Sequence, residues 1–143
     1  LLPWKNSEEN VLFGITRGGW KLSEKRARAE EALRFVRAGH LAKRFPHELS
    51  GGEKQRIALA RAIVEETELI LMDEPLSAID EISRQELLNC LCEIRQRGNT
   101  SILYVTHSRE EATALGDRVL FYREGKLQGD DLPLRRPAQR GSR

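Results

Sequence analysis

The chain has few cysteines and lacks any long apolar run. Cys90 and Cys92 stand two residues apart and would point away from each other on a helix, so neither a disulfide nor a metal site is expected. No segment approaches the ~20 consecutive apolar residues of a membrane-spanning helix. Because no disulfide is expected, the cysteines favour a reducing, cytoplasmic setting. Hydrophobic residues are 39% and charged residues 32% of the 143 positions, which is typical of a globular domain or part of one.

A strong charge imbalance is also absent. Lysine and arginine total 24 and aspartate and glutamate 22, so the formal net charge is only +2. The surplus lies near the end of the chain, where four arginines alternate with proline and glycine: Arg135, Arg136, Arg140 and Arg143. We interpret residues 129–143 as a basic disordered tail, with a phosphate-binding arm as the less favoured alternative.

Helical periodicity of the apolar residues predicts helices over residues 23–36, 52–64, 81–97 and 110–115. Ser23 is expected to cap the first helix and Gly39 to end it. Ala29, Ala32, Leu33 and Val36 would form its buried face. Gly98 is expected to end the third helix, and residues 1–20 show no clear pattern.

Three short apolar runs predict strands over residues 69–72, 101–106 and 119–122, and Glu124-Gly125 predicts a turn after the third. The first run is apolar throughout, which is typical of a strand buried on both faces, and we expect the second strand to be buried as well. Because strands and helices alternate, we expect a βαβ parallel sheet and an α/β fold.

Three polar residues follow the predicted parallel strands. Asp73 and Glu74 end the first strand and His107 ends the second, and ligands of open parallel sheets bind at such strand ends. Asp73 is suited to hold Mg²⁺ and Glu74 to act as a general base. His107 is suited to contact a phosphate oxygen or position the water. Taken singly, each residue is more often structural, as a cap or a solvated side chain.

The segment Ser50-Gly51-Gly52-Glu53 precedes the second helix and has two compatible interpretations. It matches a capping box, in which Ser50 and Glu53 satisfy each other's backbone N–H groups. A helix N-terminus with no bulky side chains is also an anion site, where Gly51 and Gly52 would let a phosphate approach the backbone.

Four motifs together resemble the ATP-binding cassette (ABC) ATPases. Residues 49–56, Leu-Ser-Gly-Gly-Glu-Lys-Gln-Arg, resemble their signature motif, and residues 69–74 resemble the Walker B strand. Residues 77–80, Ser-Ala-Ile-Asp, resemble the D-loop, and His107 matches the switch histidine. All four occur in the family's order and at its usual separations, and the likeness covers about residues 1–128.

The resemblance implies a P-loop NTPase-like fold, with residues 1–64 as a helical subdomain that ends in the signature helix and 65–128 as a partial catalytic core. It implies ATP and Mg²⁺ as cofactors and a head-to-tail dimer with a second ATPase subunit. Glu74, His107 and the metal-binding Asp73 would act on the chain's own nucleotide. The resemblance also implies that five further residues contact nucleotide: Ser50, Gly51, Gly52, Gln55 and Asp80. The signature residues among them would act on the ATP held by the partner subunit.

The phosphate-cradling G-x-x-x-x-G-K-[ST] loop is absent from the sequence. Residues 14–21 imitate it, but Trp20 stands where lysine is needed and Lys21 where a hydroxyl is needed. The glutamine of the family's Q-loop is missing too. We therefore expect the chain to be part of a longer ATPase and inactive alone.

Residues 1–4 and 102–112 resemble importer ATPases of bacteria, and residues 50–80 with 104–108 resemble most the oxyanion importers, molybdate first. That likeness implies a transmembrane permease, an indirect solute-binding protein and a place on the cytoplasmic face of the cell membrane. Nucleic acid is not expected, since no basic patch or coiled-coil heptads are seen. The alternatives are a chromosome-associated ABC ATPase and a non-catalytic truncated remnant.

Overall fold

The computed structural model describes residues 1–65, 67–77, 79–98 and 100–131. The described residues divide into two compact units, the first spanning Leu1–Val105 and the second beginning at Thr106. The elements of the described residues are α1 (Ser7–Leu12), α2 (Leu22–Phe35), 3₁₀ turns at Gly39–Leu41 and Pro46–Glu48, α3 (Gly51–Ile63), β1 (Leu69–Asp73), α4 (Glu81–Arg97), β2 (Ser101–Val105), α5 (Arg109–Leu115), β3 (Val119–Arg123) and β4 (Lys126–Asp131).

The first unit contains a helical core built from α1, α2 and α3, which contact one another pairwise. The predicted inner face of α2 is confirmed, because Ala29, Ala32, Leu33 and Val36 are all buried. Ile57 of α3 is also fully buried. The apolar stripe of each helix thus supplies the burial that a short helix needs to be stable.

Helix α2 matches its predicted span to within one residue at each end, but the two residues predicted to bound it were wrong. The helix is capped at Lys21, whose backbone N–H donates to Glu24 Oε2 at 2.6 Å, and Ser23 lies inside the first turn. It ends at Phe35, and the left-handed residue that follows is Arg37 (φ 58°). Gly39 instead opens a 3₁₀ turn.

The predicted parallel strands and their crossover helix are confirmed. β1 and β2 pair in parallel, with Leu69 opposite Ser101 and Asp73 opposite Val105. Helix α4 spans Glu81–Arg97 as expected, and Gly98 ends it with φ 72°, a conformation that favours glycine.

The prediction that both strands are buried on two faces was wrong. Ile70 is buried, but the side chains on the opposite face are more than half exposed: Leu69, Leu71, Leu103 and Val105. Alternate side chains of a strand point to opposite faces, and in the described residues only one face of this pair is covered.

The third predicted strand does not continue the parallel sheet, which corrects the expected topology. In the second unit β3 pairs with β4 in an antiparallel hairpin. The predicted turn is confirmed, because Glu124 (φ 51°) and Gly125 (φ 72°) both adopt the positive φ that tight hairpin turns require.

The predicted organisation of the chain is only partly covered by the described residues. Among the described residues no helix combines the length and apolar character needed to cross a bilayer. The predicted tail begins in β4, and its arginines lie outside the described residues. A subdomain boundary at residue 64 and a tail from residue 129 stay predictions.

The N-terminal segment, which showed no clear pattern, is organised around Asn10 of α1. Its side chain is fully buried, and its Oδ1 accepts from the Leu2 backbone N–H at 2.7 Å. Its Nδ2 donates to the backbone oxygens of Leu2, Lys5 and Asn6 at 2.9 to 3.1 Å. One side chain therefore satisfies four backbone groups within residues 2–6.

We predict that Asn10→Ala lowers the free energy of unfolding by about 1–3 kcal/mol, because buried backbone groups lose their partners. Urea denaturation of both proteins measures the change. Asn89→Ala, at an exposed position of α4, is the matched control and should have little effect. Equal stability of Asn10→Ala and the parent would contradict this role.

Candidate functional site

The start of α3 forms the predicted capping box. Ser50 Oγ accepts from the Glu53 backbone N–H at 3.3 Å, and Glu53 Oε2 accepts from the Ser50 N–H at 2.7 Å. This second hydrogen bond is the main cause that lowers the pKa of Glu53, so the carboxylate stays ionised at neutral pH. Ser50 and Gly51 are exposed, as an anion site would require. Gln55 lies half-buried on the same helix.

Gly52 has a packing role that the sequence did not indicate. It is buried, and a Cβ atom at this position would lie 2.8 Å from Ser83 Oγ and 2.9 Å from Ser83 Cβ. Both distances are shorter than van der Waals contact, so only glycine lets the start of α3 approach the start of α4 this closely. Contact of Gly52 with nucleotide stays a prediction.

Asp80 caps α4 and thereby ends the segment that resembles the D-loop. Its Oδ1 accepts from the Ser83 backbone N–H at 2.9 Å, and this hydrogen bond is the main cause that lowers the pKa of Asp80. The buried side chain of Leu76 anchors the segment, while Ala78 lies outside the described residues. Asp80 Oδ2 is 3.7 Å from a Cβ position on Gly52, so the two helix N-termini are neighbours.

Glu74 stands at the end of β1 in a left-handed conformation, with φ 42°. Its backbone N–H donates to Val105 O at 2.9 Å, and its carbonyl oxygen accepts from Ser77 Oγ at 3.0 Å. Non-glycine residues pay of order 1–3 kcal/mol for such a backbone, which persists only where neighbours hold it. The side chains of Asp73 and Glu74 are both exposed beside this turn.

His107 belongs to the second unit, where a ring of hydrogen bonds surrounds its position in the chain. Thr106 Oγ1 donates to Glu111 Oε2 at 2.7 Å and accepts from the Ser108 N–H at 3.0 Å. Ser108 Oγ accepts from the Glu111 N–H at 3.3 Å, which caps α5. Glu111 is buried. The residues on both sides of His107 are therefore fixed by hydrogen bonds. In this segment the sequence had indicated His107 alone as a site residue.

The segment that imitates a phosphate loop is engaged within the protein. Glu65 accepts from the Thr16 backbone N–H at 3.3 Å, from Thr16 Oγ1 at 2.7 Å and from the Arg17 N–H at 2.7 Å. The Thr16 hydroxyl is the main cause that lowers the pKa of Glu65. Since a carboxylate of the chain itself occupies these two N–H groups, the segment is a structural loop.

Of the predicted site residues, the structure places Ser50, Gly51 and Gly52 beside Asp80 in the first unit. Asp73 and Glu74 belong to the same unit, at the end of β1. Three supporting residues were missed: Ser83, Thr106 and Glu111. Ser83 could not be found from the sequence, because its contact with Gly52 joins two helices 30 residues apart. The Ser-x-x-Glu spacing of Ser108 and Glu111, in contrast, was a visible capping signal.

We predict that Gly52→Ala destabilises the chain by about 1–3 kcal/mol through overpacking against Ser83, although alanine favours helix. Ser83→Gly should remove the clash and restore much of the loss in the double variant, which thermal unfolding measures.

Gly51→Ala, at the exposed neighbouring position, is the control and should be tolerated. A Gly52→Ala protein more stable than the parent would show that the glycine serves no packing purpose. If the stability changes caused by Gly52→Ala and Ser83→Gly simply added in the double variant, the meaning would be the same.

We predict that Glu111→Ala speeds amide hydrogen exchange at Ser108, because the Thr106 hydroxyl loses the acceptor that orients it. Glu111→Gln keeps an acceptor oxygen and should exchange more slowly than Glu111→Ala. Exchange measured by NMR at the Ser108 amide distinguishes them, and equal rates in all three proteins would contradict the ring.

Comparison with known proteins gives consistent results. The ABC transporter family model matches residues 1–77. The aliphatic sulfonates import ATP-binding protein SsuB 2 of Pseudomonas aeruginosa (strain UCBPP-PA14) is 44% identical over 99% of the chain and 50% of its own length. The Fe(3+) ions import ATP-binding protein FbpC of Brucella abortus (strain 2308) is 43% identical over 89% of the chain and 36% of its own length. The chain thus spans half or less of these two relatives.

The fold is similar to a solved cassette. The dimeric structure of MJ0796, described as a bacterial ABC transporter cassette, superposes with a TM-score of 0.83 at 30% identity. The match covers 94% of the chain and 59% of that cassette, and it confirms the predicted P-loop NTPase-like class with its small parallel sheet. On the family match, the similar relatives and this fold, the chain belongs to the ABC transporter ATP-binding protein family.

Proposed function

We propose that the chain is part of the ATP-binding and ATP-hydrolysing subunit of a bacterial ABC importer. The observation that carries the proposal is the pair of neighbouring helix N-termini capped by Ser50 and Asp80. Two helix N-termini side by side concentrate positive electrostatic potential and free N–H groups, which suits the phosphates of ATP. The subunit would be peripheral, on the cytoplasmic face of the cell membrane.

In this proposal the two capped N-termini act on ATP held by a second ATPase subunit packed head to tail. Ser50, Gly51, Gln55 and Asp80 would contact that partner's nucleotide. The similar cassette solved as a dimer supports the presence of a second ATPase subunit. The phosphate-cradling loop would come from further residues of the complete ATPase, so we expect these 143 residues alone to be inactive.

Glu74 would act as the general base for water attacking the γ-phosphate of the chain's own nucleotide, and His107 would position that water or contact phosphate. The restrained backbone at Glu74 supports this role, because a base must be held in place to act. Product is released when the dimer opens, and a permease would convert that motion into transport.

Mg²⁺ fits the donor set at the end of β1. Asp73 offers exposed carboxylate oxygens there, and among the described residues no group of three or more metal-ligating side chains occurs. A single carboxylate, with water and nucleotide phosphates, is the usual way in which proteins hold this ion. When bound, Mg²⁺ neutralises phosphate charge, and Asp73 would orient it.

For the transported solute we propose an oxyanion, with molybdate first, delivered by a solute-binding protein to the permease. The two relatives reported above are named for a sulfonate and for Fe(3+), so their solutes differ in the sign of charge. Uptake of molybdate and of sulfonate by cells that lack and regain the complete ATPase measures the choice.

The action of the signature on the partner's nucleotide predicts a complementation result. In the complete ATPase, Ser50→Arg and Glu74→Gln should each abolish hydrolysis, and Glu74→Gln should retain ATP and stabilise the closed dimer. Coexpression of the two variants should restore activity, because one of the two sites then combines an intact Glu74 with the partner's intact Ser50.

ATP hydrolysis by the purified mixed dimers is the measurement, with each variant alone as control. The purified mixed dimers should return about half of the wild-type rate, because one of their two sites is intact. No recovery in proven mixed dimers would contradict action on the partner's nucleotide, and wild-type turnover by Glu74→Gln would contradict its assignment as the base.

A further inference from the structure

Helix α3 carries an arginine in the core, four residues after Gly52. Arg56 is 8% exposed, and one of its guanidinium nitrogens, Nη2, forms an ion pair with the Glu86 carboxylate on α4. Its Nη1 donates to Val36 O at 3.4 Å, just beyond the end of α2. A buried charge needs such partners, and removing one leaves the other poorly satisfied.

Glu86 is the centre of this cluster. Its side chain is 33% exposed, and it also pairs with Arg37 Nη1 at 3.4 Å, whose own side chain is 59% exposed. The hydrogen bond from Arg56 is the first cause that lowers the pKa of Glu86, and the charge of Arg56 is the second. The carboxylate therefore remains ionised at neutral pH, with Arg56 as its principal partner.

The ion pair is the second of two contacts between the same helix faces. Gly52 and Arg56 are four residues apart on α3, while Ser83 and Glu86 are three apart on α4, so each pair lies on one face. Gly52 meets Ser83 at the helix starts, and Arg56 meets Glu86 one turn later. Two contacts a turn apart define both the separation and the relative angle of the helices.

We propose that Arg56 is a positioning residue that locks α3 to α4, so that Ser50 and Asp80 reach the partner subunit's nucleotide as one rigid body. The inference rests on the proposed function, because it concerns how the two capped N-termini are presented. With the ion pair removed, the helices lose one of the two contacts described above and can change their angle. The capped N-termini then meet the nucleotide with the wrong spacing.

The test uses the complete ATPase with Arg56→Met, which keeps most of the side-chain length and removes the charge. We expect kcat to fall about tenfold or more, because displacement of a contacting group raises the barrier. KM for ATP should change less than about twofold, since the chain's own nucleotide is held elsewhere. Arg56→Lys, which keeps a charge, should recover part of kcat.

Arg37→Gln is the matched control, because it removes only the exposed partner of Glu86. Its kcat should stay within about twofold of the parent. Glu86→Gln removes the carboxylate at a partly exposed position, so it tests the same pair if Arg56→Met folds poorly, and it should also lower kcat. The bound-nucleotide stoichiometry of each variant corrects kcat for any loss of folded protein.

A distance measurement reports on the lock directly. Nitroxide labels at the exposed positions Lys54 of α3 and Glu81 of α4, with Cys90 and Cys92 replaced by alanine, should give a narrow distance distribution. Arg56→Met should broaden it.

Unchanged kcat in both Arg56→Met and Glu86→Gln would overturn the inference. So would an unchanged distance distribution, or a kcat loss fully explained by the lost folded fraction. If the parent ATPase were inactive, or if the complementation described above failed, the proposed function itself would be wrong. An active parent together with a fully active Arg56→Met variant would refute only the proposal that Arg56 locks α3 to α4.

Discussion

The motif loops of this chain depend on one constraint, the unpaired backbone N–H groups at a helix N-terminus. Three loops end at such a terminus, and each supplies the side chain that satisfies it: Ser50 for α3, Asp80 for α4 and Ser108 for α5. Because the capping residue is the last residue of the loop, the cap fixes the loop to a rigid helix. The same amide groups that demand a cap also attract phosphate, so stability and binding share one device.

The segments around these caps meet two different structural requirements. The start of α3 must lie against α4, which demands the smallest side chain at Gly52 and a paired charge at Arg56. The end of β1 must turn sharply, which forces Glu74 into a backbone conformation that its side chain disfavours. Close packing therefore holds the turn and the caps together, and local strain is tolerated where chemistry is expected.

Much of this could be predicted from the sequence, since signals carried by local patterns were sufficient. The span of α4, its end at Gly98, the capping box at Ser50 and the turn at Glu124 needed only periodicity and turn chemistry. Features set by tertiary contacts were not predictable. Arg37 takes the left-handed position that a glycine two residues later seemed to offer, and Ser83 meets Gly52 across 30 residues of chain. The apolar pattern of β1 also indicated that both of its faces are covered. That prediction failed because a sequence shows which residues are apolar and does not show what covers them.

The half-covered strand pair has a consequence for how the first unit opens. Helices α1 to α3 enclose a core with buried side chains on all three, whereas β1 and β2 bury one face only. Elements with less buried apolar surface belong to the less stable end of a protein's local unfolding hierarchy. In these 143 residues alone, the amide protons of β1 should then exchange through partial opening before those of α3. Asp73 and Glu74 stand at the end of a strand with one exposed face, so whatever covers that face in the complete ATPase also steadies the segment that carries these two carboxylates.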